Sequence, residues 1–157
     1  MKSLSSFLVA LSLLIGGGAF AGDADIEYLA APNAGDRELP FSDAVRVGDV
    51  LYVSGKLGNE AGTMKLVPGG IEAETRQTME HIKATVERHG FSMEKPIKCT
   101  VFLADIAEWG KMNSVYVQFF PENKPARSAL GVSGLALGAR ANIHSISTRA
   151  PRARPLT

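Results

Sequence analysis

Hydrophobic and polar residues alternate in the chain from Ala44 onward. Val45 and Val47 are separated by a polar residue, Gly48-Asp49 suits a two-residue turn, and apolar residues return at 50–53. Alternation with a period of two is typical of a strand with one buried face, and a Gly-containing pair between two such runs favours a tight turn. This segment therefore predicts a β-hairpin.

The period then changes to that of a helix after Gly69-Gly70. Glu72 and Glu74 give the segment an acidic start, and Gly90 follows its end. Negative charge suits a helix N-terminus, and glycine suits the left-handed residue that often ends a helix. One amphipathic helix is predicted, with its apolar face at Ile71, Thr75, Met79, Ile82 and Val86.

The remaining segments predict a strand, a second helix and two closing strands. Residues 97–103 are β-branched and apolar, and we expect Cys99 to be packed among them. Asp105 and Glu108 resemble a capping box before a second helix, which Pro121 ends. We interpret its largely aromatic stripe as core; the stripe consists of Ile106, Trp109, Met112, Tyr116 and Phe119 or Phe120. The closing strands, residues 128–133 and 140–147, are predicted to pair as a hairpin.

This element order predicts an α+β fold: one mixed β-sheet with two helices packed on one face. The other face of the sheet would then be uncovered. Its apolar residues need a partner surface, and self-association of the chain supplies one.

Both ends of the chain differ from this pattern. Residues 1–21 have a basic start, an apolar run and an Ala19-Phe20-Ala21 ending, which is typical of a cleaved signal peptide and predicts a periplasmic or secreted protein, not held in a membrane after cleavage. We interpret residues 22–39 as an extension without regular structure, 40–148 as the domain, and 149–157 as a basic, Pro-rich tail.

Charge and missing motifs exclude several function classes. The chain has 17 Lys and Arg against 16 Asp and Glu, and loss of Lys2 with the signal leaves a formal charge of zero. Such a balance argues against nucleic acid as a partner. No Gly-rich nucleotide motif, zinc-protease motif or cysteine pair is present, so we expect neither a metal nor a cofactor.

The segment 124–128 carries the candidate chemistry. Pro125 restricts the backbone just before Arg127, and a guanidinium held in this way offers a planar fork of donors to a carboxylate. Taken alone, this pattern is weak, since most loop arginines are solvated charges.

Several separated blocks add to it. They are 40–45 (PFSDAV), 53–55 (VSG), 74–79 (ETRQTM), 98–103 (KCTVFL), 112–116 (MNSVY) and 124–128 (KPARS). In this order they resemble the RidA/YjgF family of reactive-imine deaminases, and the resemblance spans residues 40–148.

The resemblance implies a chorismate-mutase-like homotrimer whose sheets form a central barrel, with a ligand cleft at each subunit boundary. It implies cofactor-free hydrolysis of small enamines and imines, such as 2-aminoacrylate, to 2-keto acids and ammonia. Arg127 matches the catalytic arginine that grips the substrate carboxylate. Gly55, the backbone at Ala129 and Asn113 are expected to line the same cleft.

Three departures from the family pattern bear on activity. The glutamate that family members carry fifteen positions after the arginine is Asn142 here, and an amide cannot take up a proton at neutral pH. His144, two residues along the same strand, is an alternative base. Phe41 and Ala129 replace a usual tyrosine and cysteine of the cleft, which removes two polar groups. These departures leave open a second hypothesis, a non-catalytic trimer that binds carboxylates or keto acids.

Overall fold

A computed structural model describes residues 25–32 and 39–149. The predicted signal peptide and all of the basic tail except Arg149 lie outside these residues. The strands are β1 (Ile26–Leu29), β2 (Ala44–Val47), β3 (Val50–Leu57), β4 (Pro96–Leu103), β5 (Ala126–Gly131) and β6 (Ala141–Thr148). The helices are α1 (Gly70–Arg88) and α2 (Trp109–Tyr116), and short 3₁₀ turns lie at Ile106–Glu108, Val117–Phe119 and Ala136–Gly138.

Within the described ranges the strands form one mixed sheet in the order β1-β2-β3-β6-β4-β5. The β2-β3 hairpin was predicted and is confirmed. The predicted closing hairpin is wrong, because β4 lies between β5 and β6 and pairs with both. The physical reason for this difference is that α2 crosses over the sheet and brings the chain back in the direction of β4, so that β5 pairs parallel to β4. The other edge of β4 is then free to pair with β6.

The segment 22–39 is also corrected, in part. Residues Ile26–Leu29 form β1, which pairs antiparallel with β2 at the edge of the sheet. Its alternation of Ile26, Glu27 and Tyr28 is too short to distinguish from an irregular segment, so the pairing edge offered by β2 decides its conformation.

Both helices pack on one face of the sheet, as predicted. β6 turns Ala141 and Ile143 towards the helices, where they join Met79 of α1 and Met112 of α2 in one buried core. Cys99 is fully buried in that core, which confirms the predicted packed thiol. This layered arrangement places the β4-β5 edge directly beside α2.

The ends of the two helices follow the sequence to different extents. Gly90 has a φ of +74° after α1, so the predicted left-handed position is confirmed. The second predicted helix is shorter than its apolar stripe, because 3₁₀ turns flank α2 on both sides. Asp105 caps the first of these turns by accepting a hydrogen bond from the backbone N–H of Ala107 at 2.9 Å.

The opposite face of the sheet carries no described element. Phe102, Asn142, His144 and Ile146 alternate with buried neighbours and point to this face, and Tyr52 lies there with 46% of its surface exposed. We call it the open face. No helix of the described residues is long and apolar enough to span a bilayer.

Candidate functional site: the Arg127 cavity

Arg127 lies at the start of β5, in register with Cys99 of β4, and therefore on the helix side of the sheet. Its Nη1 donates a hydrogen bond to Oδ1 of Asn113 at 2.6 Å. Its guanidinium carbon lies 4.8 Å from the ring centre of Tyr116 and 5.7 Å from that of Trp109. Both distances are typical of cation–π contacts, so α2 fixes the orientation of the guanidinium.

The sequence explains why α2 can hold Arg127 in this way. Trp109, Asn113 and Tyr116 are spaced by four and three residues, which places them on one face of the helix. Pro125 precedes β5 and limits the conformations of the backbone that delivers the arginine. A planar guanidinium can stack on an aromatic ring and donate in its plane at the same time, which lysine cannot do.

Arg127 lines a cavity of about 360 Å³, which we call the Arg127 cavity. A volume of this size is at the lower end of small-molecule sites. Asn113, Tyr116, Val117 and Phe120 form its helix side, and Lys124 and Pro125 form its loop side. Its charged lining residues are two cations, Lys124 and Arg127, which suits an anionic ligand.

Cys99 and Tyr116 lie beneath the guanidinium. Burial raises the pKa of the Cys99 thiol, and contacts with Tyr116 and Arg127 oppose this shift more weakly. Burial likewise raises the pKa of the Tyr116 hydroxyl, and Cys99 raises it further. Both groups are therefore neutral at pH 7, and a thiolate nucleophile is not available at this site.

A second group of predicted residues lies on the open face. A β-carbon added at Gly55 would approach within 3.0 Å of both polar atoms of the Asn142 side chain, so glycine leaves the space that this amide occupies. His144 follows on the same face and stacks on Phe102, with ring centres 5.8 Å apart and planes 11° apart. Gly55 and Asn142 are thus neighbours on this face.

One subunit does not bring the two groups together. Arg127, Asn113 and Ala129 lie on the helix side of the sheet, whereas Gly55 and Asn142 lie on the open face. Strand spacing and rise place the α-carbons of Arg127 and Asn142 roughly 14 Å apart. Phe41 precedes β2 and is 60% exposed. A site that uses both groups therefore needs two subunits.

Two residues of the site were missed by reasoning from the sequence. Tyr116 was interpreted as core and is indeed only 6% exposed, but its ring also supports the guanidinium. Trp109 was interpreted as core and is 43% exposed, which corrects that prediction. The spacing of Trp109, Asn113 and Tyr116 was the available signal, because it puts a polar side chain between two aromatic rings on one helical face.

The described residues contain no group of three or more His, Cys, Asp or Glu side chains that could hold a metal ion. The fold and the Arg127 cavity define an α+β protein with a small cavity at the edge of its sheet, whose charged lining residues are cations. The family model described as Endoribonuclease L-PSP matches residues 31–148. The chain belongs to this family, which is also known as RidA/YjgF.

Individual relatives agree with this assignment. The chain is 38% identical over 112 residues to 2-iminobutanoate/2-iminopropanoate deaminase of Bos taurus, which covers 71% of this chain and 82% of the relative. The crystal structure of RidA from an Antarctic Psychrobacter superposes with a TM-score of 0.70 at 34% identity and covers 78% of this chain and 98% of that one. E. coli TdcF, solved with bound serine, gives a TM-score of 0.69 at 25% identity and covers 79% of this chain and 100% of that one.

Proposed function

We propose that this protein is a hydrolase that deaminates small enamine and imine intermediates of the 2-aminoacrylate type to 2-keto acids and ammonia. The observation that carries this proposal is the fixed guanidinium of Arg127 in a cavity whose charged lining is cationic. Relatives named as imine deaminases support it. Water adds to the imine carbon and the nitrogen leaves as ammonia, so the reaction needs no oxidant and no cofactor.

Arg127 acts by holding the carboxylate. Its Nη1 is committed to Asn113, and no other hydrogen bond of the guanidinium forms within residues 25–32 and 39–149, which leaves donors on the far edge of the fork for a ligand. Because Tyr116 and Trp109 fix the plane of the fork, a bound carboxylate has one preferred orientation. A fixed carboxylate keeps the adjacent imine carbon in one place for attack by water.

Asn142 is proposed to hold the attacking water through its amide oxygen, and it acts across a subunit boundary. We propose a homotrimer in which Arg127 of one subunit meets Gly55 and Asn142 of its neighbour. Three features favour such an assembly: the open face, the outer edge of β5, which pairs with no strand of the described residues, and the 46% exposure of Leu130 on that strand.

A second function rests on Asn142 itself. An amide orients water but takes up no proton, so general-base help of about 10²–10⁴ in rate is absent from that position. In this alternative the trimer binds carboxylates or 2-keto acids without turnover. His144, on the same face, is the titratable side chain that could replace the missing base.

The test is to generate imines in situ with an amino-acid oxidase and to follow keto acid and ammonia. Arg127→Ala should lower kcat/KM by about 100-fold or more, since two charge-assisted hydrogen bonds are lost. Arg76→Ala is the matched control, because that arginine lies on the outer surface and binds Gln118. Equal rates in buffer and with enzyme reject the deaminase, and keto-acid binding that Arg127→Ala abolishes then supports the binding protein.

A mixing experiment tests the shared site. Subunits carrying Arg127→Ala and subunits carrying Asn142→Leu should each be inactive alone, but random mixed trimers of the two should contain intact sites at one boundary in four. Recovery of about a quarter of the wild-type activity is expected for a site of this kind. No recovery would place both residues in one subunit, and wild-type activity of the Asn142→Leu protein by itself would show that Asn142 takes no part.

Export is the last element of this proposal. Removal of residues 1–21 by a signal peptidase would leave Gly22 as the mature N-terminus. Mass spectrometry of the protein isolated from a periplasmic extract tests this, and an intact Met1 or Lys2 would contradict it.

A further inference from the structure

The walls of the Arg127 cavity differ in chemistry from its anion-binding end. Asn113, Val117 and Phe120 follow one another at intervals of four and three residues, so they lie along one line of the α2 face and its 3₁₀ extension. The line begins at the amide that holds Arg127 and continues into two apolar side chains. Pro125 provides a further apolar surface on the loop side.

A carboxylate on Arg127 therefore fixes the direction in which the rest of the ligand extends. The side chain of a 2-imino acid is attached to the α-carbon and points away from the carboxylate. With the carboxylate on Arg127, this side chain would lie along Val117 and Phe120. Val117 is 43% exposed, so a ligand that covers it removes apolar surface from water.

The volume of the cavity points in the same direction. A three-carbon 2-imino acid occupies on the order of 100 Å³ at the packing density of protein interiors. The cavity has about 360 Å³. Within the wall that one subunit provides, three-carbon substrates would leave most of this space unfilled, whereas branched or aromatic substituents would fill more of it.

We propose that this cavity selects 2-imino acids and 2-keto acids with branched aliphatic or aromatic side chains over their three-carbon counterparts, and that Val117 is a specificity-determining residue. The proposal rests on the proposed function for its catalytic part, since the same cavity holds the substrate. Its binding part depends only on Arg127 and the apolar wall.

The size of this preference for larger side chains follows from the number of ligand carbon atoms that the cavity buries. Each fully buried methylene favours binding by a factor of about four. A leucine-derived imine has three more carbons than an alanine-derived one, and burial of about half of their surface gives a preference of about tenfold.

The experiment compares kcat/KM for imines formed from leucine and from alanine by an amino-acid oxidase. Binding of 4-methyl-2-oxopentanoate and of pyruvate is measured in parallel by the fluorescence of Trp109, the sole tryptophan, which faces Arg127. Val117→Thr keeps the shape of the side chain but replaces a methyl group by a hydroxyl, and Val117→Ile keeps its apolar character. Ile97→Thr is the matched control, since Ile97 is also 43% exposed and does not line the cavity.

The wild-type protein and the Ile97→Thr and Val117→Ile variants should prefer the leucine-derived ligand about tenfold, and Val117→Thr should reduce that ratio by about half or more. A ratio near one in the wild-type protein, or an unchanged ratio in Val117→Thr, overturns the inference. If no imine is turned over, the deaminase proposal fails, and the ratio of the two keto-acid dissociation constants still decides the inference.

Discussion

Alanine at Gly58 should destabilise this protein far more than alanine at Gly55. A β-carbon at Gly58 would lie 2.5 Å from both the Cα and the carbonyl oxygen of Glu74, which belong to the backbone of α1. The nearest neighbours of a β-carbon at Gly55 would be the atoms of the amide end of the Asn142 side chain. Neither glycine has a positive φ, so steric contact alone sets the cost.

The magnitudes follow from what each neighbour can do. The α1 backbone cannot move without disturbing the buried Glu74, whose Oε2 accepts the backbone N–H of Arg140 at 2.7 Å. Gly58→Ala should therefore lower the free energy of unfolding by about 3 kcal/mol or more. Asn142 can rotate away, so Gly55→Ala should cost within about 1 kcal/mol while displacing that amide.

Urea unfolding followed by Trp109 fluorescence measures both costs, at one protein concentration because assembly contributes to stability. Asn142→Ala should remove the cost of Gly55→Ala and leave that of Gly58→Ala unchanged. Equal destabilisation by the two alanines, or relief of Gly58→Ala by the truncated Asn142, would refute the steric reasoning.

Three further predictions concern single side chains. Asn142→Glu should raise the rate of imine hydrolysis by about 10²-fold and make that rate fall below about pH 4–5, where the new carboxylate becomes protonated, whereas Asn142→Gln should do neither. Equal rates in the Asn142→Glu variant and the wild-type protein would show that this position takes no part in the mechanism. Asp43 is 7% exposed and binds Lys56 and Arg88, so Asp43→Asn should cost about 3 kcal/mol in urea unfolding, and a loss below 1 kcal/mol would contradict a role for this ion-pair cluster. Because burial raises the pKa of Cys99, its contribution to stability is present below its ordinary value of 9.0 and is lost as pH rises towards the folded value. Cys99→Ala should flatten the decline in unfolding free energy above pH 9, and an identical decline would contradict it.

The sequence was informative where a pattern repeats over several turns or residues. Helix α1, the left-handed turn at Gly90 and the β2-β3 hairpin all form through contacts between residues that are close in the chain. Their local sequence patterns are therefore sufficient to predict them. The partners of β4 and β5 are not local. Only the packing of α2 across the sheet decides that they pair in parallel, and nothing in either strand's composition encodes this.

The same distinction holds for the site. The segment 124–128 indicated Arg127 by itself, since a proline before an arginine restricts the backbone whatever surrounds it. That Asn113, Tyr116 and Trp109 orient its guanidinium depends on the distance between α2 and β5, which tertiary packing sets. The separation of Arg127 from Asn142 onto opposite faces likewise follows from strand register, because a shift of one residue reverses the face on which a side chain lies.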